Sequence, residues 1–342
     1  MSLQAKVVCL EGTIEGLDQD RFEGLLGDLG RLWRLKRAAR IAIKLNLSAG
    51  THASPDTGCN VDASLAGALV GLVRRVNATA EISLCESDSM GFGFAYEKFE
   101  VLGYERLVRK LDGVALCDLS RGRARVVRSG PRGGRAYLLP EVLLSADFVI
   151  SLAKIKTHAI CGVSGGMKNH FGALCDFDKS RYHPYLDRVV ADVNRAVRTD
   201  LSILDGNPAM EGDGPVQGRA RPLGRVLVAN NVVAGDVVMA RAMGVPLSCV
   251  HYLRMAWEEG LGPADEREID VRWPGAGPED WRFARPRARR RGLTRMALGT
   301  QRAGQRLAAA SGLLYLLDSA KDVRSPAGRK QAVAAAGRAT RG

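Results

Sequence analysis

The chain has 342 residues, 46% hydrophobic and 25% charged, with a formal net charge of +13. That is an ordinary globular composition, long enough for one large core or two modest ones. It contains no apolar run of membrane-span length, and its seven cysteines are scattered and odd in number, which argues against a disulfide framework.

Residues 5–10 read as a strand, and Phe22, Leu25, Leu26, Leu29, Leu32 and Leu35 then recur at helical spacing. Residues 41–45 form the next strand, with Lys44 and Asn46 at its end as candidate ligand contacts. The loop over 50–60 is rich in Ser, Thr, Pro, Asp and Gly; it carries His52 and Cys59 without metal-ligand spacing. A helix is expected over 62–76 and a strand over 79–84, which runs into Cys85, Glu86, Ser87 and Asp88. Acids that follow a strand stand where an open α/β sheet presents its ligand crevice, so Glu86 is the first candidate for a carboxylate role. Helices over 95–102 and 104–111, a strand over 114–119 and an exposed basic hairpin over 121–135 follow.

The densest chemistry lies in 151–183, which holds three of the five histidines, two of the seven cysteines and four lysines. Residues 146–152 read as a buried strand, with Lys154, Lys156, Thr157 and His158 at its carboxyl end. Residues 162–166 read as a flexible glycine loop whose N–H groups approach a ligand, before Lys168, Asn169 and His170. Cationic side chains beside free N–H groups favour a carboxylate or phosphate. A single lysine or histidine is more often structural; their concentration after a buried strand is the argument for a site. The candidate substrate contacts are Lys44, Asn46, Lys154, Lys156, Thr157, Gly165, Gly166 and Asn169, and the candidate catalytic residues are His158, Lys168 and Glu86. A competing reading takes His170, Cys161, Cys175, His183 and Asp205 as metal or iron–sulfur ligands; no C-x-x-C supports it, and burial explains the cysteines equally well.

Downstream, a helix is expected over 186–197 and a strand over 201–205 that ends in Asp205. A long glycine and acid loop over 207–218 holds Glu211 and Asp213. A strand over 225–229 precedes a helix that begins at Asp236, either its N-cap or a catalyst, and another helix covers 253–259. This alternation predicts an α/β fold: a mostly parallel sheet with helices on both faces. No G-x-G-x-x-G follows the first strand and no phosphate-binding G-x-x-x-x-G-K-[ST] occurs, so no nicotinamide or nucleotide site is expected.

Residues 281–342 hold 15 Lys and Arg against Asp318 and Asp322, while the rest of the chain balances to zero. The expected division is a neutral body, 1–280, and a basic tail, 281–342, part amphipathic helix and part disordered end. The tail is a candidate for contact with an anionic membrane surface or nucleic acid. No basic-then-apolar leader opens the chain, and the expected location is the cytoplasm.

KIKTH at 154–158, GGMKNHFG at 165–172 and KSRYH at 179–183 resemble the signature of the family catalogued as domain of unknown function 362. Ile43 to Leu47, Leu204 to Gly206, Glu211 to Pro215, Ala234 to Asp236, Met243-Gly244 and Gly260 to Gly262 extend the resemblance over about 38–265, a core that two subdomains would share. His158 followed by Ser164-Gly165-Gly166-x-Lys168 is also similar, more distantly, to a segment of the nickel-pincer lactate racemases. That similarity implies a covalent nickel-pincer cofactor on Lys168 and proton transfer by His158, while iron is the metal of the competing iron–sulfur reading; Asn169 to Gly172 departs from the Pro-Gly of those enzymes. The expected function is an enzyme of isomerase or oxidoreductase type, acting on a small anionic substrate. The alternatives are a metal-binding redox protein and a binding module docked by its tail.

Overall fold

The structure, a computed structural model, describes residues 3–48, 55–90, 93–276 and 279–287. It begins with β1 (Lys6–Glu11), α1 (Gln19–Asp28), α2 (Leu32–Arg37), β2 (Arg40–Lys44), α3 (Ala63–Val76) and β3 (Glu81–Glu86). Next come α4 (Ala95–Val101), α5 (Tyr104–Val108), β4 (Val114–Asp118), the hairpin β5 (Ala124–Ser129) and β6 (Arg135–Pro140), and α6 (Glu141–Leu144). The centre of the chain is β7 (Phe148–His158), β8 (Gly162–Ser164), α7 (Gly166–Asn169), α8 (Leu186–Ala196) and β9 (Leu201–Glu211). It continues with β10 (Arg219–Arg221), β11 (Arg225–Ala229), α9 (Val232–Ala242), α10 (His251–Glu258) and β12 (Asp270–Arg272).

Eight strands pair in the order β12-β1-β11-β9-β7-β2-β3-β4, with β10 added at β9 and β8 at β7. Among these eight, only β11 runs against its neighbours. The sheet divides two cores, because side chains alternate across a strand. On β7, Phe148, Ile150 and Leu152 face the core built with α1 and α3, while Val149, Ala153 and Ile155 face the core built with α8, α9 and α10. A strand covered on both faces must be apolar throughout, and β7 is buried along its whole length. The mostly parallel α/β fold with helices on both faces is therefore present. On α3, Leu65, Leu69, Leu72 and Val73 make one apolar stripe, and Asp62 caps the helix by accepting from the Ser64 N–H at 2.8 Å.

Several local expectations are corrected. The apolar stripe from Phe22 to Leu35 is split at Gly30, whose φ of +64° ends α1 and redirects the chain into α2. Residues 162–166 are not a loose loop: they form β8, pinned antiparallel to β7, and the start of α7. The expected loop after Asp205 is strand as far as Glu211, held by β10. Asp236 does not cap the helix that contains it. Asn231 does, accepting from the Ala234 N–H at 3.0 Å, and Asp236 lies buried within α9.

Residues 281–287 pack against the body. Trp281 and Phe283 are buried, and their N–H groups bond to the carbonyls of Ala242 and Met243. The remainder of the basic tail, and His52, lie outside the described residues. Among the described residues no helix is long and apolar enough to cross a membrane.

Candidate functional site

The candidate residues meet where β9, β7, β2 and β3 end side by side, the carboxyl edge of the parallel sheet. Lys44 is the last residue of β2 and Glu86 the last of β3. Lys154, Lys156, Thr157 and His158 close β7, and Asp205 lies on β9 in direct register with Lys154. Strands distant in sequence thus bring one charged cluster together.

The cluster holds more cation than its carboxylates neutralise. Lys44 donates to Glu86 Oε1 at 2.8 Å, to the Leu45 carbonyl at 2.6 Å and to Asn169 Oδ1 at 3.4 Å. Glu86 also accepts from the N–H groups of Leu47 and Ser87, so both its oxygens are engaged. Burial pushes its carboxyl upward, but Lys44, Lys98 and these hydrogen bonds outweigh burial and hold it below the usual range. Lys154 and Asp205 form a second pair at 2.5 Å, each about 1% exposed. Burial raises the Asp205 carboxyl, opposed by Lys154 and Asn207.

Among the described residues, three further buried lysines have only neutral oxygens as hydrogen-bond partners. Lys98 donates to the Ser87 carbonyl at 2.8 Å, and Lys179 to Ser87 Oγ at 3.1 Å and to the Asp88 carbonyl. Lys156, fully buried, donates to Ser48 Oγ at 2.7 Å and the Cys59 carbonyl at 2.8 Å. Burial pulls Lys156 down to about 7 and Lys179 to about 8. An ammonium transferred from water to such surroundings has dipoles as its direct partners, and the more distant charge of Glu86 does not offset the desolvation, so the proton is released earlier.

His158 is almost fully buried, and its Nδ1 accepts from the N–H groups of Ile160 at 3.1 Å and Cys161 at 3.3 Å. Those bonds place the ring proton on Nε2. Burial, then Lys168, Lys156 and His183, hold the ring well below the usual histidine range. His158 is therefore a neutral N–H donor, with its basic lone pair already engaged. Lys168 lies half-buried with its ammonium 4.3 Å from the centre of the Phe171 ring. Burial depresses its proton affinity, Cys161 and Asp187 raise it, and Lys44 lowers it.

Asn169 ties α7 to the strands, donating to the Lys44 carbonyl at 2.9 Å and to Ser151 Oγ at 3.1 Å. Thr157 donates to the Gly212 carbonyl at 2.9 Å, and Asn46 Oδ1 accepts from the Lys154 N–H at 3.4 Å. The glycine pair serves packing. A Cβ on Gly165 would lie 2.4 Å from Asp236 Oδ1, and one on Gly166 would lie 2.4 Å from Ser202 Oγ. The Gly166 and Met167 N–H groups already donate to Asp236, at 2.7 and 3.1 Å. Gly166 thus faces a carboxylate of the chain itself. Burial drives that carboxyl up to about 7, against these two donors and Tyr252.

The five candidate metal ligands are not gathered. Among the described residues no three His, Cys, Asp or Glu side chains form a metal-binding group, and all seven cysteines are free thiols. His170 is fully buried with Nδ1 3.4 Å from Thr199 Oγ1, and burial lowers it to about 3. His183 stacks on Phe171, 6.0 Å between ring centres. A lysine-linked nickel group would find Lys168 but, among the described residues, no gathered set of three metal donors.

Sequence reasoning missed Lys98, Lys179, Ser48 and the real partner of Asp236. Lys179 sits within the KSRYH stretch, and Asp236 is a lone acid in the otherwise apolar run from Val232 to Ala240; both carried a readable signal. Lys98 lies on an unremarkable helix and carried none.

The sequence profile of the family described as domain of unknown function (DUF362) matches residues 41–241, more than half of the chain. The thylakoid-associated protein sll1697 of Synechocystis sp. (strain ATCC 27184 / PCC 6803 / Kazusa) is 28% identical over 245 residues, covering 70% of this chain and 73% of its own. Among solved structures, the lactate racemase apoprotein from Thermoanaerobacterium thermosaccharolyticum is 14% identical with a TM-score of 0.42, covering 64% of this chain and 54% of its own. A protein from Thermotoga maritima is 14% identical with a TM-score of 0.35, covering 62% and 55%. The chain spans about half the length of these two structures.

Proposed function

The chain belongs to the DUF362 family, and from that premise we propose that it is an enzyme acting on a small anionic substrate by proton transfer or isomerisation. One observation carries the reading: at the carboxyl edge of the sheet, Lys98, Lys156 and Lys179 are buried and, among the described residues, have no carboxylate as a hydrogen-bond partner. Unneutralised buried cations are costly, and an anionic ligand removes that cost. Lys156 is the contact for a carboxylate or phosphate, replacing its bonds to Ser48 and Cys59 by a charge-assisted one. His158 donates its Nε2–H to an oxygen on which negative charge develops. Lys168, without an oxygen partner among the described residues, is the amine left to act on the substrate. Lys44 and Lys154, held by Glu86 and Asp205, fix the floor of the site.

Thermal melts of the intact protein with oxalate, malonate and phosphate test this. At least one anion is expected to raise the melting temperature at pH 6.5, and Lys156→Met is expected to lose that response. A wild-type protein indifferent to all three would overturn the reading.

A further inference from the structure

We infer that Lys168 is a nucleophile that forms an imine with the carbonyl carbon of a small 2-oxo acid bound at this site. The inference rests on the anion-site reading above and names its substrate class.

The lysines of the cluster divide sharply by their partners. Lys44, Lys98, Lys154, Lys156 and Lys179 each donate to at least one protein oxygen. Lys168 donates to none among the described residues, and only the face of Phe171 receives its ammonium. A cation–π contact is worth about 0.5–2 kcal/mol and fixes no lone-pair direction. Lys168 is thus the lysine that can turn toward a ligand without breaking a hydrogen bond. An amine attacks only when neutral. Burial and Lys44 favour that form, while Cys161 and Asp187 oppose it.

The neighbouring groups define what is attacked. Lys156 and His158 lie two residues apart on the same face of β7, Lys168 follows on α7 just beyond β8, and both lysines depress the proton affinity of the His158 ring. The His158 lone pair is engaged by two backbone N–H groups, which leaves Nε2–H as a donor and no competing nucleophile. A cation for a carboxylate, an N–H for a carbonyl oxygen and an amine for a carbonyl carbon are the three complements of a 2-oxo acid. A phosphate or a simple carboxylate would leave the amine without a reaction.

The step balances without any redox partner. The Nζ lone pair adds to C2, and the C=O π pair moves to oxygen, which takes up a proton as nitrogen loses one. The resulting carbinolamine loses its hydroxyl with a second proton as water, and C=N replaces C=O. Protonated, that imine acidifies the hydrogens on C3. This is the activation that a proton-transfer or isomerisation reaction needs.

The test is reductive trapping. Full-length protein is incubated with pyruvate, 2-oxobutyrate or 2-oxoglutarate and sodium cyanoborohydride, then mapped by mass spectrometry. One reduced adduct per chain is expected on Lys168, suppressed at least tenfold by oxalate and absent from Lys168→Arg. That variant keeps a cation over Phe171, and its retained thermal response to oxalate shows that the site is folded. Adducts scattered over surface lysines and unchanged in Lys168→Arg would overturn the inference. If oxalate stabilises the wild type but no 2-oxo acid leaves an adduct, imine formation fails while anion binding stands. If no anion binds and no adduct forms, both fall.

Discussion

Lys156 shows how one residue couples the site to pH. Folded Lys156 gives up its proton near pH 7, whereas an unperturbed lysine keeps it to about 10.5. Between those values the unfolded chain binds more protons, so this residue's contribution to stability rises with pH through that window; below pH 7 the full cost of the buried charge stands. Lys156→Met is expected to be stabilised by about 1–4 kcal/mol at pH 6.5, since an apolar side chain replaces a poorly neutralised ion. Its advantage should shrink toward pH 9.5, and urea midpoints of both proteins across this range measure it. An anion that holds Lys156 charged must also bring a proton with it. Calorimetry at pH 8 in buffers of different ionisation enthalpy should show proton uptake on oxalate binding by the wild type. His158 carries a different lesson at this scale. Its motif marked it for proton transfer, but two backbone N–H groups occupy its Nδ1 and recast it as a donor.

The strand pair β7–β9 is where an element's geometry becomes chemistry. Parallel registration places Lys154 opposite Asp205, and burial leaves each with the other as its charge partner. Removing one partner strands the other, so Asp205→Leu or Lys154→Met alone is expected to cost about 3–5 kcal/mol. The double variant should recover most of that loss, because two apolar side chains restore a neutral core. Chemical denaturation of the four proteins in this cycle gives the coupling; strictly additive losses would show the pair to be independent. Helices α7 and α9 are joined as tightly. Gly165 and Gly166 let them approach until Asp236 caps two amides of α7 with its carboxylate. The glycine pair therefore locates Lys168 and Asn169 by packing. That role is not distinguishable from anion binding in the sequence, where both demand a small residue.

Across the whole molecule, the basic tail is a separate question from the site. The charge divide at 281 is real in the sequence, yet Trp281 and Phe283 are buried in the body core. The tail proposal is therefore best tested by cutting after Arg287. That truncation is expected to keep the melting temperature and to lose affinity for heparin or anionic vesicles. Cutting after Asp280 also removes Trp281 and Phe283 and should destabilise the body by about 3–5 kcal/mol, the usual cost of deleting one large buried aromatic.

The sequence by itself determined the sheet, its covering helices and where the lysine-rich cluster falls. Apolar runs bounded by polar residues mark buried strands, and lysines beyond a strand end mark the carboxyl edge where ligands lie. These are local patterns. What only the tertiary structure decided are the pairings: Lys44 with Glu86, Lys154 with Asp205, Asp236 with the amides of α7, and Lys98 and Lys179 drawn in beside them. The two ion pairs span 42 and 51 residues. Which lysine is neutralised and which is left free depends on strand order, and strand order is a property of the folded sheet rather than of any one segment.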